Sequence, residues 1–184
     1  MRYKLIKTDT ITFLDKTLFR IQRISDGELG GYIEKESNLN QSGNAWVYGD
    51  AWVYGNAWVY GDARVYGTAR VYGNVEVYGT ARVSGNARVS GNAEVYDDAW
   101  VSGDARVSGN DILRHYDTIT SDKQFITITG FTYNITITYC SIHIGCKSYT
   151  LDELDNDHNM LEVNEVYLIK DICNSALNSI LVRI

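Results

Sequence analysis

No stretch of this 184-residue chain stays apolar for the roughly 20 residues a membrane-spanning helix needs, and the opening MRYKLIKTDT lacks the apolar centre of a signal peptide. A soluble, intracellular protein with no membrane partner is expected. Positive charge is also short. Against 23 Asp and Glu stand 17 Lys and Arg, a net charge of -6 and a pI of about 5.0, which argues against duplex nucleic acid as a partner. Histidine is missing from residues 1 to 114, leaving only His115, His143 and His158. Cysteine is limited to Cys140, Cys146 and Cys173, an odd number without the close spacing of a metal site, so reduced thiols are expected and no metal. No glycine-rich dinucleotide fingerprint, phosphate-binding loop or nucleophile elbow is present, and no cofactor is expected.

What the chain has instead is a six-residue unit repeated in tandem twelve times from Val47 to Leu113. Its variants read V-Y-G-N-A-W, V-Y-G-D-A-R and V-S-G-N-A-E. Fixed-period self-similarity with one small unit per repeat marks a solenoid. In A-x-V-Y the Ala and Val fall on one side of an extended chain and the x and Tyr or Ser on the other, because strand side chains alternate. Gly followed by Asn or Asp supplies the residues most tolerant of positive φ, as a sharp bend requires. Large Val and small Ala then build a narrow dry core, and no inward position from 51 to 107 is polar. Glycine every six residues and the β-branched content exclude a helix.

This pattern closely resembles the hexapeptide left-handed parallel β-helix, in which three hexads complete one coil. The resemblance implies about four coils from the clean repeats, stacked about 4.8 Å apart, and left-handed crossovers against the usual rule. The fold class is thus mainly β, a left-handed parallel β-helix with an N-terminal hairpin cap and a small C-terminal β/α module. Residues 1–40 are read as the capping hairpin and first imperfect hexads, 41–118 as the β-helix and 119–184 as C-terminal strands plus an amphipathic helix. The runs KLIKTDTITF and KTLFRIQRIS carry the hairpin, and a slip of two residues precedes Val47. FITIT, NITITY and SIHIG are three further strands, Thr150 opens a capping box, and Val163 to Ile180 have helical apolar spacing. GELGGYIEKESNLNQSGNAWVYGDA and IHIGCKSYTLDEL resemble hexapeptide-repeat proteins of phages and prophages, which implies a phage or prophage origin and a bacterial cytoplasm.

Three-hexad coiling sorts the outward positions into three faces. Face one stacks Trp46, Arg64, Arg82 and Trp100 beside Tyr48, Tyr66, Ser84 and Ser102. Face two stacks Trp52, Arg70, Arg88 and Arg106 beside Tyr54, Tyr72, Ser90 and Ser108. Face three stacks Trp58, Glu76, Glu94 and Ile112 beside Tyr60, Tyr78, Tyr96 and Arg114. Like-charged arginines a coil apart repel unless partnered, and the simplest partner is the glutamate ladder of a second copy. Left-handed β-helix proteins typically form cyclic trimers, so the resemblance implies a homotrimer closed by contact of face two with face three, with Arg70, Arg88, Arg106, Glu76, Glu94, Trp52 and Trp58 at its interface. Face one then stays free. Arginine beside Tyr or Trp suits an anionic aromatic ligand, since guanidinium grips phosphate and rings stack on bases. The candidate ligand residues are Arg64, Arg82, Tyr66, Trp46 and Trp100, with Arg70, Arg88 and Tyr72 as a second set where the subunit interface forms the pocket instead.

Two classes of function compete. One is a non-catalytic binding protein that sequesters a small anionic ligand such as a signalling nucleotide, or blocks a host defence protein. The other is an acyltransferase, because many proteins with this repeat are acyltransferases that use a histidine base and a loop extruded from the coil. His115 at the exit of the repeats is the only nearby base, and no loop interrupts Val47 to Leu113, so the non-catalytic reading is preferred. A structural virion component is a third possibility.

Overall fold

The computed structural model describes residues 1–113, 117–119, 125–128, 135–138, 142–144 and 147–149. The chain divides into two compact units, residues 1–121 and 122–184. The first is a β-solenoid of about five coils, and it begins with three longer strands, β1 (Tyr3–Phe13), β2 (Lys16–Arg23) and β3 (Leu29–Ile33).

Thereafter each hexad contributes a two-residue strand made of its outward residue and the valine after it. Trp46–Val47 pairs in parallel with Arg64–Val65, that with Arg82–Val83, then Trp100–Val101 and Thr118–Ile119. This five-stranded sheet is face one. Face two runs Trp52–Val53, Arg70–Val71, Arg88–Val89, Arg106–Val107, and face three Trp58–Val59, Glu76–Val77, Glu94–Val95, Ile112–Leu113. Every inward Val and Ala from Ala45 to Ala105 is buried, so the coil centre is apolar. Burying a valine side chain is worth about 1.5–3 kcal/mol. The backbone of each coil is satisfied by the next, as in Tyr48 N–H to Val65 O at 2.8 Å and Asp50 N–H to Gly67 O at 3.1 Å.

At the corners the division of labour differs from the expected one. Positive φ belongs to glycine alone in the turn pairs, with Asp97 (φ 52) standing in one glycine's place. The Asn, Asp or Thr that follows instead bonds coil to coil. Asn56 donates to Asn74, Asn74 to Asn92 and Asn92 to Asn110, at 3.2, 2.8 and 2.9 Å. Thr68 and Asn86 continue the same device along a second corner. Backbones stack so closely here that a Cβ on Gly73, at φ 87, would lie 2.6 Å from Gly91 O. Gly73→Ala is therefore expected to cost about 2 kcal/mol or more, combining the left-handed penalty with that contact, and the urea midpoint measures it.

The first coil is longer than the rest. Ile33 pairs with Val53 and Leu39 with Val59, two positions farther along the chain than the Val47 to Val65 pairing, which places the slip before Val47. β1 and β2 are antiparallel, with a register shift between Ile6 and Thr10, and β3 joins β2 to face two through Tyr32 and Trp52. Tyr3, Leu18 and Ile21 are fully buried, and the Tyr3 hydroxyl shares its one hydrogen between two acceptors within reach, Glu36 O and Leu39 O. Asn38, also buried, accepts from Lys35 N–H and donates to Gly55 O and Ala57 O, pinning the 3₁₀ turn Glu36–Asn38 to the coil beneath.

In the second unit Phe125–Ile128, Ile135–Thr138, Ile142–Ile144 and Lys147–Tyr149 pair antiparallel in that order. The last was not among the strands expected from the sequence. The capping box at Thr150, the terminal helix and all three cysteines lie outside the described residues. Among the described residues there is no α-helix, and so none long and apolar enough to cross a membrane.

Candidate functional site

Face one presents its outward side chains as a grid, because positions x and Tyr of one strand point the same way and parallel pairing repeats them on the next coil. The rows are Trp46 and Tyr48, Arg64 and Tyr66, Arg82 and Ser84, Trp100 and Ser102. A cleft of about 410 Å³ opens within it, lined by Tyr48, Arg64, Tyr66 and Arg82. Arg64 and Arg82 are exposed, and among the described residues neither has a carboxylate within ion-pair distance. Two guanidiniums on adjacent parallel strands, without a counter-ion, make a local positive field on an acidic protein.

The tyrosines of this cleft depart from those of the other faces. On face three Tyr60, Tyr78 and Tyr96 stack at 4.8 Å with nearly parallel rings, and on face two Tyr54 and Tyr72 stack at 5.0 Å. On face one Tyr48 instead meets Trp46 edge to face at 6.4 Å and 78°, and among the described residues the Tyr66 ring meets no other aromatic. Ser84 holds the next place in that row. It is buried and accepts a 3.1 Å bond from Trp100 Nε1, which ties the half-exposed indole across the lower end of the grid.

Trp46, expected to stand open beside this site, does not. It is buried to 1% exposure beneath the N-terminal strands, against Tyr3, with the Arg23 guanidinium 4.6 Å and the Arg2 guanidinium 5.5 Å from its ring. Arg2 also donates to Gly43 O and Ala45 O. Trp46 therefore closes the top of the grid rather than offering a stacking surface, because a capping hairpin must bury the first exposed coil somewhere. Tyr48 takes its place in the cleft. The sequence signal for Tyr48 was its membership of the Tyr66 column.

Face two carries the second candidate set in a smaller cleft of about 240 Å³, lined by Phe13, Leu14, Tyr54, Arg70, Tyr72 and Arg88. Arg70, Arg88 and Tyr72 were anticipated there; Phe13 and Leu14 were not. The β1–β2 turn reaches over this face, with Phe13 5.4 Å from Trp52 and 6.1 Å from Tyr54. Arg70 stacks on Trp52 at 4.2 Å and on Phe13 at 5.3 Å. The chain's own hairpin thus covers Trp52 and engages Arg70, two residues assigned from sequence to the trimer interface, and leaves Arg88 and Arg106 exposed.

On face three Tyr60 donates to Glu76 at 3.0 Å and Tyr78 to Glu94 at 3.3 Å. Burial, with the neighbouring carboxylates, raises both phenol pKa values above their ordinary range. Trp58 stacks on Tyr60 at 4.0 Å and is half-exposed beside an open depression that includes Lys35, Asn40 and Asn56. His115 and His158 lie outside the described residues, as does the side chain of His143. Among the described residues no group of three His, Cys, Asp or Glu side chains could hold a metal ion.

A family model for the YdcK beta solenoid repeat matches residues 81–97, which carry the Arg82, Arg88 and Glu94 strands. That match and the stacked parallel strands together support a repeat β-helix family. No curated protein matches the chain.

Proposed function

We propose that the protein is a non-catalytic binding protein whose face-one cleft holds a small anionic aromatic molecule such as a nucleotide. The observation that carries this reading is the cleft itself, where, among the described residues, Arg64 and Arg82 have no carboxylate within ion-pair distance and the Tyr66 ring beside them stacks on no other. Its volume lies in the range of about 300–1,000 Å³ typical of small-molecule sites. Calorimetry against a panel of cyclic and linear nucleotides tests it. Binding that is lost in Arg64→Ala or in Arg82→Ala, with the far-ultraviolet spectrum unchanged, is the expected result. No heat from any nucleotide would overturn the reading and return the question to a protein partner.

The solenoid is taken as left-handed, on the resemblance of its hexads to that fold, and the setting as a phage- or prophage-encoded protein in a bacterial cytoplasm. Assembly as a cyclic homotrimer is part of the same proposal. Arg88 and Arg106 on the open half of face two meet Glu76 and Glu94 on face three, whose carboxylates Tyr60 and Tyr78 already orient. Reversing Glu76 and Glu94 to Lys is expected to shift the protein toward monomer in light scattering, and acidic residues at 88 and 106 are expected to restore assembly. A wild-type monomer at micromolar concentration would contradict the trimer and leave the face-one cleft unaffected.

A further inference from the structure

We infer that the ligand of the face-one cleft is a nucleoside diphosphate, its two linked phosphates on Arg64 and Arg82 and its base on the Tyr66 ring; this rests on the anion-binding reading above. Parallel pairing sets Arg64 and Arg82 in register on adjacent strands, about 4.8 Å apart along the solenoid. Each guanidinium offers a planar fork that binds phosphate through two parallel hydrogen bonds. One phosphate fills one fork and leaves the second guanidinium without a pair of oxygens of its own. Two linked phosphates give each fork its own pair of oxygens, with no carboxylate among the described residues within ion-pair distance of either arginine.

The base has a place prepared by the interruption of the tyrosine row. Where Tyr60, Tyr78 and Tyr96 close on each other, Tyr48 turns to Trp46, and Ser84 puts no ring below Tyr66. A flat base laid on Tyr66 restores the stacking found in the other rows, with Trp100, held to Ser84, bounding the grid beneath. The grid therefore offers an aromatic surface beside a two-cation cradle, the two chemistries a nucleoside diphosphate joins in one molecule.

Titration calorimetry of the full chain with a nucleoside diphosphate, the matching monophosphate and inorganic pyrophosphate tests the inference. The diphosphate is expected to bind at least about 10-fold tighter than either of the others. Tyr66→Ala is expected to weaken it about 10-fold while leaving pyrophosphate unchanged, and Tyr66→Phe to retain it, as stacking without a hydroxyl role demands. Equal affinities for monophosphate and diphosphate, or a nucleotide affinity indifferent to Tyr66→Ala, would overturn this inference and leave an anion site standing. Absence of binding by all three compounds would remove both the inference and the reading beneath it.

Discussion

Val77→Asp is expected to unfold the solenoid. Val77 is fully buried, in register with Val59 above it and Val95 below, and its neighbours at the coil centre are Val and Ala alone. A carboxylate placed there meets no donor and no cation. Its burial costs about 4–5 kcal/mol or more, whether as an unpaired charge or as an acid forced to stay protonated. A domain of this size is stable by about 5–15 kcal/mol, so one such substitution removes a large share. The coils also stack in one dimension, so a defect in the middle separates two halves that support each other only through it. Val77→Ala, which leaves a small cavity and no charge, is expected to cost about 1–2 kcal/mol. Urea unfolding of the two variants measures the difference; equal midpoints would mean that Val77 does not face the core.

Gly31→Val is expected to detach the N-terminal strands. A Cβ on Gly31 would lie 2.5 Å from Ala51 O and 2.7 Å from Val47 Cγ1, and the same Ala51 O accepts the 2.9 Å bond from Tyr32 N–H that seats β3 on the solenoid. The neighbouring Gly30 is pressed as closely, with its Cβ position 2.5 Å from Ile21. Backbone cannot yield as a flexible side chain can, so β3 must lift, exposing Tyr3, Ile21 and Trp46. The expected loss is about 3 kcal/mol, with limited proteolysis cutting between residues 24 and 31 well before the repeats. An unchanged digestion pattern would show that the hairpin is not seated through this contact.

These two sites also mark how far the sequence could be read. The inward role of Val77 was legible because alternation within each hexad is local, and repetition multiplies a weak signal into a strong one. The columns Arg64 with Arg82 and Glu76 with Glu94 follow from the same counting, since three hexads return the chain to one face. Gly31, Trp46 and Phe13 belong to contacts between the non-repeating N-terminus and the coils. No period places Phe13 over Trp52, and nothing local to Trp46 tells that Arg2 and Arg23 will lie on its ring. The corner asparagines were misread for a related reason. Their tolerance of positive φ is a property of the residue, whereas their bonds from coil to coil exist only once the coils are stacked. The face-one cleft was half legible: its arginines and Tyr66 came from the repeat, but the unstacking of Tyr66 depends on Tyr48 turning to a tryptophan that the hairpin has buried.

Arg64 and Arg82 are proposed to hold an anionic aromatic ligand. Mass spectrometry of the supernatant released by heating the purified protein tests it most directly, run in parallel on the wild-type chain and on a folded Arg64→Ala, Arg82→Ala double variant. A phosphate-bearing aromatic compound released in near-stoichiometric amount from the wild type and absent from the double variant is the predicted result. The same compound released equally from both, or none from a wild-type protein that also takes up no added nucleotide, would contradict a ligand on Arg64 and Arg82.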